Sequence, residues 1–144
     1  MAQYSPLFVA VNALLFAMWA AAFCCTLTRR FSMPVTILGF VVQYFIWVIP
    51  PYFMAYGSIL RVVYPLIAIV LPLFLLFRDK WQRILFVALS CLVFMYVADL
   101  VPCAIIFTPE QMHAGLALQP LPQQLAAYAI CVSLDAFLLW MLVL

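Results

Sequence analysis

Apolar residues fill five long stretches of the chain, about 7–27, 34–55, 58–77, 84–107 and 124–144, and polar residues fall mostly between them. Each run approaches the roughly 20 residues that a helix needs to cross a bilayer. None alternates polar with apolar positions over about ten residues, as a barrel strand would. Helices satisfy their own backbone groups in lipid, so the pattern predicts an all-α, polytopic transmembrane bundle of five spans. The connections are short except for "TPEQMHAGLALQPLP", leaving one bundle over 1–144 with no room for a soluble domain.

Composition gives the same class: 72% of residues are hydrophobic and 7% charged, with a mean hydropathy of +1.29. A soluble domain is excluded. The first run has no basic residue before it and a basic pair, Arg29 and Arg30, after it, which is the reverse of a signal peptide. Short cytoplasmic loops are enriched in Lys and Arg. "TRRFSM" and "RDKWQR", the latter with Arg78, Lys80 and Arg83, are therefore expected inside. The amino terminus, the Tyr56-Gly57 connection and the Pro-rich fourth connection are expected outside. An odd number of spans then delivers the carboxyl end to the cytoplasm. "FLLWMLVL" lacks a polar flank there: either the helix ends flush with the membrane or, as expected, the protein continues into a cytoplasmic part. The net charge of +2 resides in these topology signals and implies no nucleic-acid partner.

Two carboxyls interrupt the apolar runs. Asp99, in "FMYVADLVP", lies roughly 12 Å inside the outer end of the fourth span at a 1.5 Å rise per residue. Arg61, about one turn into the third span, enters from the same side, and its sign and depth suggest an Arg61–Asp99 ion pair. The other reading is a protonated Asp99 bonded to a backbone carbonyl. Asp135 falls near the middle of the fifth span with no basic residue at its depth. Asn12 and Gln43 are the polar side chains at compatible depth. They would make Asp135 either interhelical glue or part of a proton or ligand path.

Small residues and prolines shape the packing expected of these spans. Ala13, Ala17, Ala21 and Cys25 recur every fourth residue, and Ala129 and Ser133 repeat the device on the fifth span. Such stripes let helices approach closely, within the bundle or across a homodimer. Pro65 and Pro72 share a face of the third span and each removes a backbone donor, predicting a kinked helix. Pro50-Pro51 and Pro102 also disturb the outer half. Tyr52, Tyr56, Tyr64, Glu110 and His113 are the candidates for lining an outer pocket there, against the alternative of ordinary turns with an aromatic belt.

Catalysis finds little support. The five cysteines have no CxxC or metal-ligand spacing, one histidine cannot build a metal cluster, and no cofactor is expected. A Cys103–His113 nucleophile pair would need a helix-buried thiol to meet a loop histidine. Cys24-Cys25 could carry palmitate, or be packing residues.

The run "YPLIAIVLPLFLLFRDKWQRILFVALSCLVFMYVADLVP" resembles the membrane sensor region of bacterial receptor histidine kinases with a GHKL-type ATPase, the group containing the autoinducing-peptide quorum receptors. Leu71-Pro72, Phe77-Arg78, Lys80 and Asp99 occupy the places of that group's Leu/Pro-rich helix, basic turn and outer-half acidic residue. The likeness covers about 40 residues, and the chain lacks the phosphoacceptor histidine, the ATP-binding motifs and a sixth span. The resemblance implies a sensing module in a bacterial cytoplasmic membrane, not itself an enzyme. An extracellular ligand, a peptide in that group, would shift the fifth helix and so signal to a cytoplasmic kinase. The alternatives are a small proton-coupled transporter using Asp99 and Asp135, and an accessory or scaffold subunit of a larger membrane complex.

Overall fold

The computed structural model describes residues 6–50, 59–114 and 119–144, apart from the side chains of Phe8, Arg61, Val62 and 112–114. Among the described residues six helices follow one another: α1 (Pro6–Thr26), α2 (Met33–Val48), α3 (Ile59–Leu76), α4 (Trp81–Ile106), α5 (Pro109–Ala114) and α6 (Leu121–Val143). Three of them, in α1, α4 and α6, are long and apolar enough to cross a membrane, and the chain is an integral membrane protein. α2 ends at Val48, ahead of Pro50, which disfavours helix at the residue before it. At 16 residues α2 is about 24 Å long; residues 51–55 of the span expected over 34–55 lie outside the described residues.

The chain divides into two compact units, one of Met1–Trp19 with Val93–Leu144 and one of Ala20–Leu92. In the first, Leu15, Ala98 and Cys131 form a buried cluster flanked by Val11, Val132 and Leu134. The face of α6 that packs inward reads Gln124, Ala127, Cys131, Asp135 and Leu139, a single stripe at helical spacing. In the second unit Phe40 links two other rings, stacking on Phe23 at 6.2 Å and tilting against Phe77 at 6.1 Å.

Polarity is arranged as a lipid solvent demands. Thr36, Gln43, Gln124 and Asp135 are buried, while Leu71, Leu75, Phe86, Val93 and Ile105 are exposed. Water is absent from the bilayer core, so polar groups gain most by turning inward.

The small-residue stripes behave differently from the expectation of internal packing. Ala13, Ala17, Ala21 and Cys25 are exposed, as are Ala129 and Ser133. α1 instead turns Leu15, Phe16, Trp19, Ala22 and Phe23 inward, because large rings bring more contact area to the core than methyl groups. A true close approach occurs at Gly39 on α2, where a Cβ would lie 2.5 Å from a Leu76 methyl on α3.

α3 continues as a helix through Pro65 and Pro72. Pro72 cannot donate to the carbonyl four residues earlier, at Ala68. Gln43 of α2 compensates: its Nε2 donates to the carbonyls of Ile69 at 3.0 Å and Ala68 at 3.4 Å. In a membrane, this re-satisfaction of freed carbonyls is what makes an interior proline tolerable.

Candidate functional site

The unit built from the first half of α1, the second half of α4, α5 and α6 contains both intramembrane carboxyls. Asp135 is 1% exposed. Its Oδ2 accepts a hydrogen bond from the indole Nε1 of Trp19 at 2.9 Å, joining α6 to α1. Its Oδ1 is buried without a hydrogen-bond partner among the described residues. One turn earlier on α6, the Cys131 thiol donates to Asp99 Oδ1 at 3.3 Å, joining α6 to α4. The Cys131–Asp135 spacing of four puts both attachment points on the inward face of α6. Around them the packing is apolar and non-directional, so these two contacts fix the rotation and register of α6.

Asp99 itself is exposed along α4, with one oxygen turned to Cys131. The proposed partner Arg61 lies on α3, and its side chain, hence the Arg61–Asp99 pairing, is outside the described residues. Gln43 donates to the Ala68 carbonyl that Pro72 leaves free and to the Ile69 carbonyl beside it, not to Asp135. The donor to Asp135 is Trp19, two turns after Asn12 on α1; Asn12 is half-buried and makes contacts of its own. Trp19 went unrecognised because an indole in an apolar run reads as bulk, although its N–H seeks an acceptor when buried.

Side-chain to backbone bonds hold the described parts of the connection from α4 to α6. Thr108 and Gln111 form a capping box: the Thr108 amide donates to Gln111 Oε1 at 3.0 Å and the Gln111 amide to Thr108 Oγ1 at 3.4 Å. Pro109 occupies the first turn of α5, where its missing N–H costs nothing. Gln119 then donates to the Gln111 carbonyl at 3.1 Å, and Gln124 to the Gln119 carbonyl at 2.7 Å. The T-x-x-Q spacing was the readable signal for this series.

Of the outer-pocket candidates, Tyr52 and Tyr56 lie outside the described residues. Tyr64 donates its hydroxyl to the Ile46 carbonyl, tying α3 to α2. Glu110 is exposed in the first turn of α5, and the His113 side chain is outside the described residues, as is any Cys103–His113 pair. The cysteines are free thiols, Cys24 half-buried and Cys25 exposed. Among the described residues no group of three His, Cys, Asp or Glu could hold a metal ion.

Comparisons with family models, with curated proteins and with solved structures find no match.

Proposed function

We propose that the chain is a membrane-embedded sensor module: a five-span bundle with its amino terminus outside and its basic loops and carboxyl end in the cytoplasm. A ligand at the outer face would change the packing of α6, and that displacement would pass to a cytoplasmic kinase. The observation that carries this reading is the attachment of α6 through two directional contacts, Trp19–Asp135 and Cys131–Asp99, in otherwise apolar surroundings. Two packings that differ in a pair of such bonds differ by only a few kcal/mol, a gap within reach of ligand binding. The glutamine series leading from Thr108 to Gln124 supports the reading further, because it couples the outer connection to the start of α6. The resemblance of α3 and α4 to receptor histidine kinases supplies the output.

The reading frame beyond the Leu144 codon supplies the test. Continuation into a histidine-bearing helix and a nucleotide-binding domain carries the sensor reading, and a stop codon at that point ends it.

A second reading, proton-coupled transport, is favoured by one feature, the buried Oδ1 of Asp135, which has no hydrogen-bond partner among the described residues. A carboxyl with a free oxygen in an apolar core can exchange a proton along a pathway. Flux in proteoliposomes that requires a proton gradient and vanishes in Asp135→Asn would establish transport. Absence of flux would leave the sensor.

A further inference from the structure

The two basic connections form one paired element within the Ala20–Leu92 unit. Arg29 and Phe77 make an antiparallel bridge. Beside it the Arg30 amide donates to the Leu76 carbonyl at 2.9 Å and the Arg78 amide to the Thr28 carbonyl at 3.1 Å. Asp79 clamps the pair: it accepts from the Thr28 amide and bonds Arg83 at 3.2 Å, while Arg83 also donates to the Thr26 carbonyl at 2.7 Å. Residues opposed across such a ladder sit about 5 Å apart at Cα. The pairing sets Arg29 opposite Phe77, Arg30 opposite Leu76 and Arg78 opposite Thr28, and so brings Arg29, Arg30, Arg78 and Lys80 onto one small element.

The charge on that element is unbalanced. Its one carboxylate, Asp79, is committed to Arg83 and Thr28. Arg30, Arg78 and Lys80 are exposed, and none of them enters an ion pair with the described residues. Two helices also begin here, α2 at Met33 and α4 at Trp81, each without an acidic residue in its first turn. Ser32, ahead of α2, makes no side-chain capping bond. Helix amino termini carry partial positive charge and ordinarily attract anions. Several unpaired cations carried on one short element repel one another, so the element gains by taking up an anion. Exposed Phe31, Met33 and Trp81 border it with apolar surface. An anion that arrives with its own apolar body fits both features.

We propose that the paired loops form a preorganised cradle for the headgroup phosphate of an anionic phospholipid, seated against Arg30, Arg78 and Lys80 and held in shape by the Asp79 clamp. The shape separates this cradle from a diffuse positive belt, which would need the charge alone.

The test uses the full chain in mixed bilayers, with spin-labelled phosphatidylglycerol and phosphatidylcholine reporting which lipid the protein immobilises. The wild type is expected to prefer phosphatidylglycerol. Arg30→Gln, Arg78→Gln and Lys80→Gln together should abolish the preference, each charge contributing about fivefold at an anionic surface. These side chains make no ion pair with the described residues, so the triple variant should retain its helical melt. Asp79→Asn separates the two explanations, because it makes the element more positive while breaking the clamp. A preorganised cradle predicts weaker selectivity in Asp79→Asn. Equal immobilisation of both lipids by the wild type, retained preference in the triple variant, or stronger preference in Asp79→Asn would overturn the proposal. So would displacement of the lipid by soluble glycerol phosphate at matched concentration, which would make the ligand a free phosphate.

Discussion

Replacing Trp19 by Phe removes the indole donor from Asp135 while keeping an aromatic ring in the same pocket. Asp135 is 1% exposed and its other oxygen has no partner among the described residues, so the substitution leaves the whole carboxyl unpartnered in an apolar interior. Intramembrane side-chain hydrogen bonds average about 0.6 kcal/mol and reach about 1.7. A buried group stripped of its partner costs about 1–3 kcal/mol. The 2.9 Å bond to an otherwise unpartnered carboxyl belongs at the upper end of the first range, about 1.5–2 kcal/mol. The smaller ring leaves a cavity worth roughly a further 1 kcal/mol. Trp19→Phe should therefore destabilise by about 2.5–3 kcal/mol. In an Asp135→Leu background, where no carboxyl remains to be stranded, the same change should cost only about 1 kcal/mol, for the cavity. The assay is reversible unfolding in mixed micelles with increasing dodecyl sulfate, run on the two single variants and the double. Effects that add to within about 0.5 kcal/mol would refute the reasoning, because residues sharing a bond must couple.

Three other expectations follow from particular contacts. Gln43→Leu should destabilise by about 1–3 kcal/mol, and by much less in a Pro72→Ala background, where residue 72 regains an amide for the Ala68 carbonyl; equal costs in both backgrounds in the same unfolding assay would separate Gln43 from the proline. Gly39→Ala puts a methyl 2.5 Å from a Leu76 methyl, so overpacking of about 1–3 kcal/mol, offset by about 1 kcal/mol of helix propensity gained, should leave a cost of up to about 2 kcal/mol that Leu76→Ala relieves; the same effect of Gly39→Ala in both backgrounds would refute the contact. Gln111→Ala removes the acceptor for the Thr108 amide, and hydrogen exchange at Thr108 should accelerate about five- to thirtyfold, for a cap worth about 1–2 kcal/mol, with unchanged exchange counting against the capping box.

How much of this was legible in the sequence depends on the range of the interaction. Helix positions follow from run length: α1, α4 and α6 lie within three residues of the apolar runs 7–27, 84–107 and 124–144. Orientation around each helix axis was less accessible, because in a membrane both faces are apolar and periodicity loses its contrast. The alanine stripe of α1, which small-residue packing allows either within the bundle or across a homodimer, faces out. Carboxyls were visible as anomalies at positions 99 and 135, yet their partners Cys131 and Trp19 were hidden among apolar residues whose polar atoms matter only when a neighbour meets them. Gln43 showed the converse. Its rarity marked it correctly as a working residue, but it serves a backbone carbonyl freed by Pro72, a need that sequence separation concealed. Asp79 drew little notice between two basic residues, and it organises both basic connections.

The claim that α6 delivers a signal from an outward-facing bundle to the cytoplasm can be tested by topology. In a background with the native cysteines replaced, single cysteines at Thr108, Lys80 and Leu144 would be probed with a membrane-impermeant thiol reagent. A sensor bundle predicts labelling at Thr108 in intact cells, and at Lys80 and Leu144 only after the membrane is opened. Labelling of Lys80 or Leu144 in intact cells, or protection of Thr108, would contradict it.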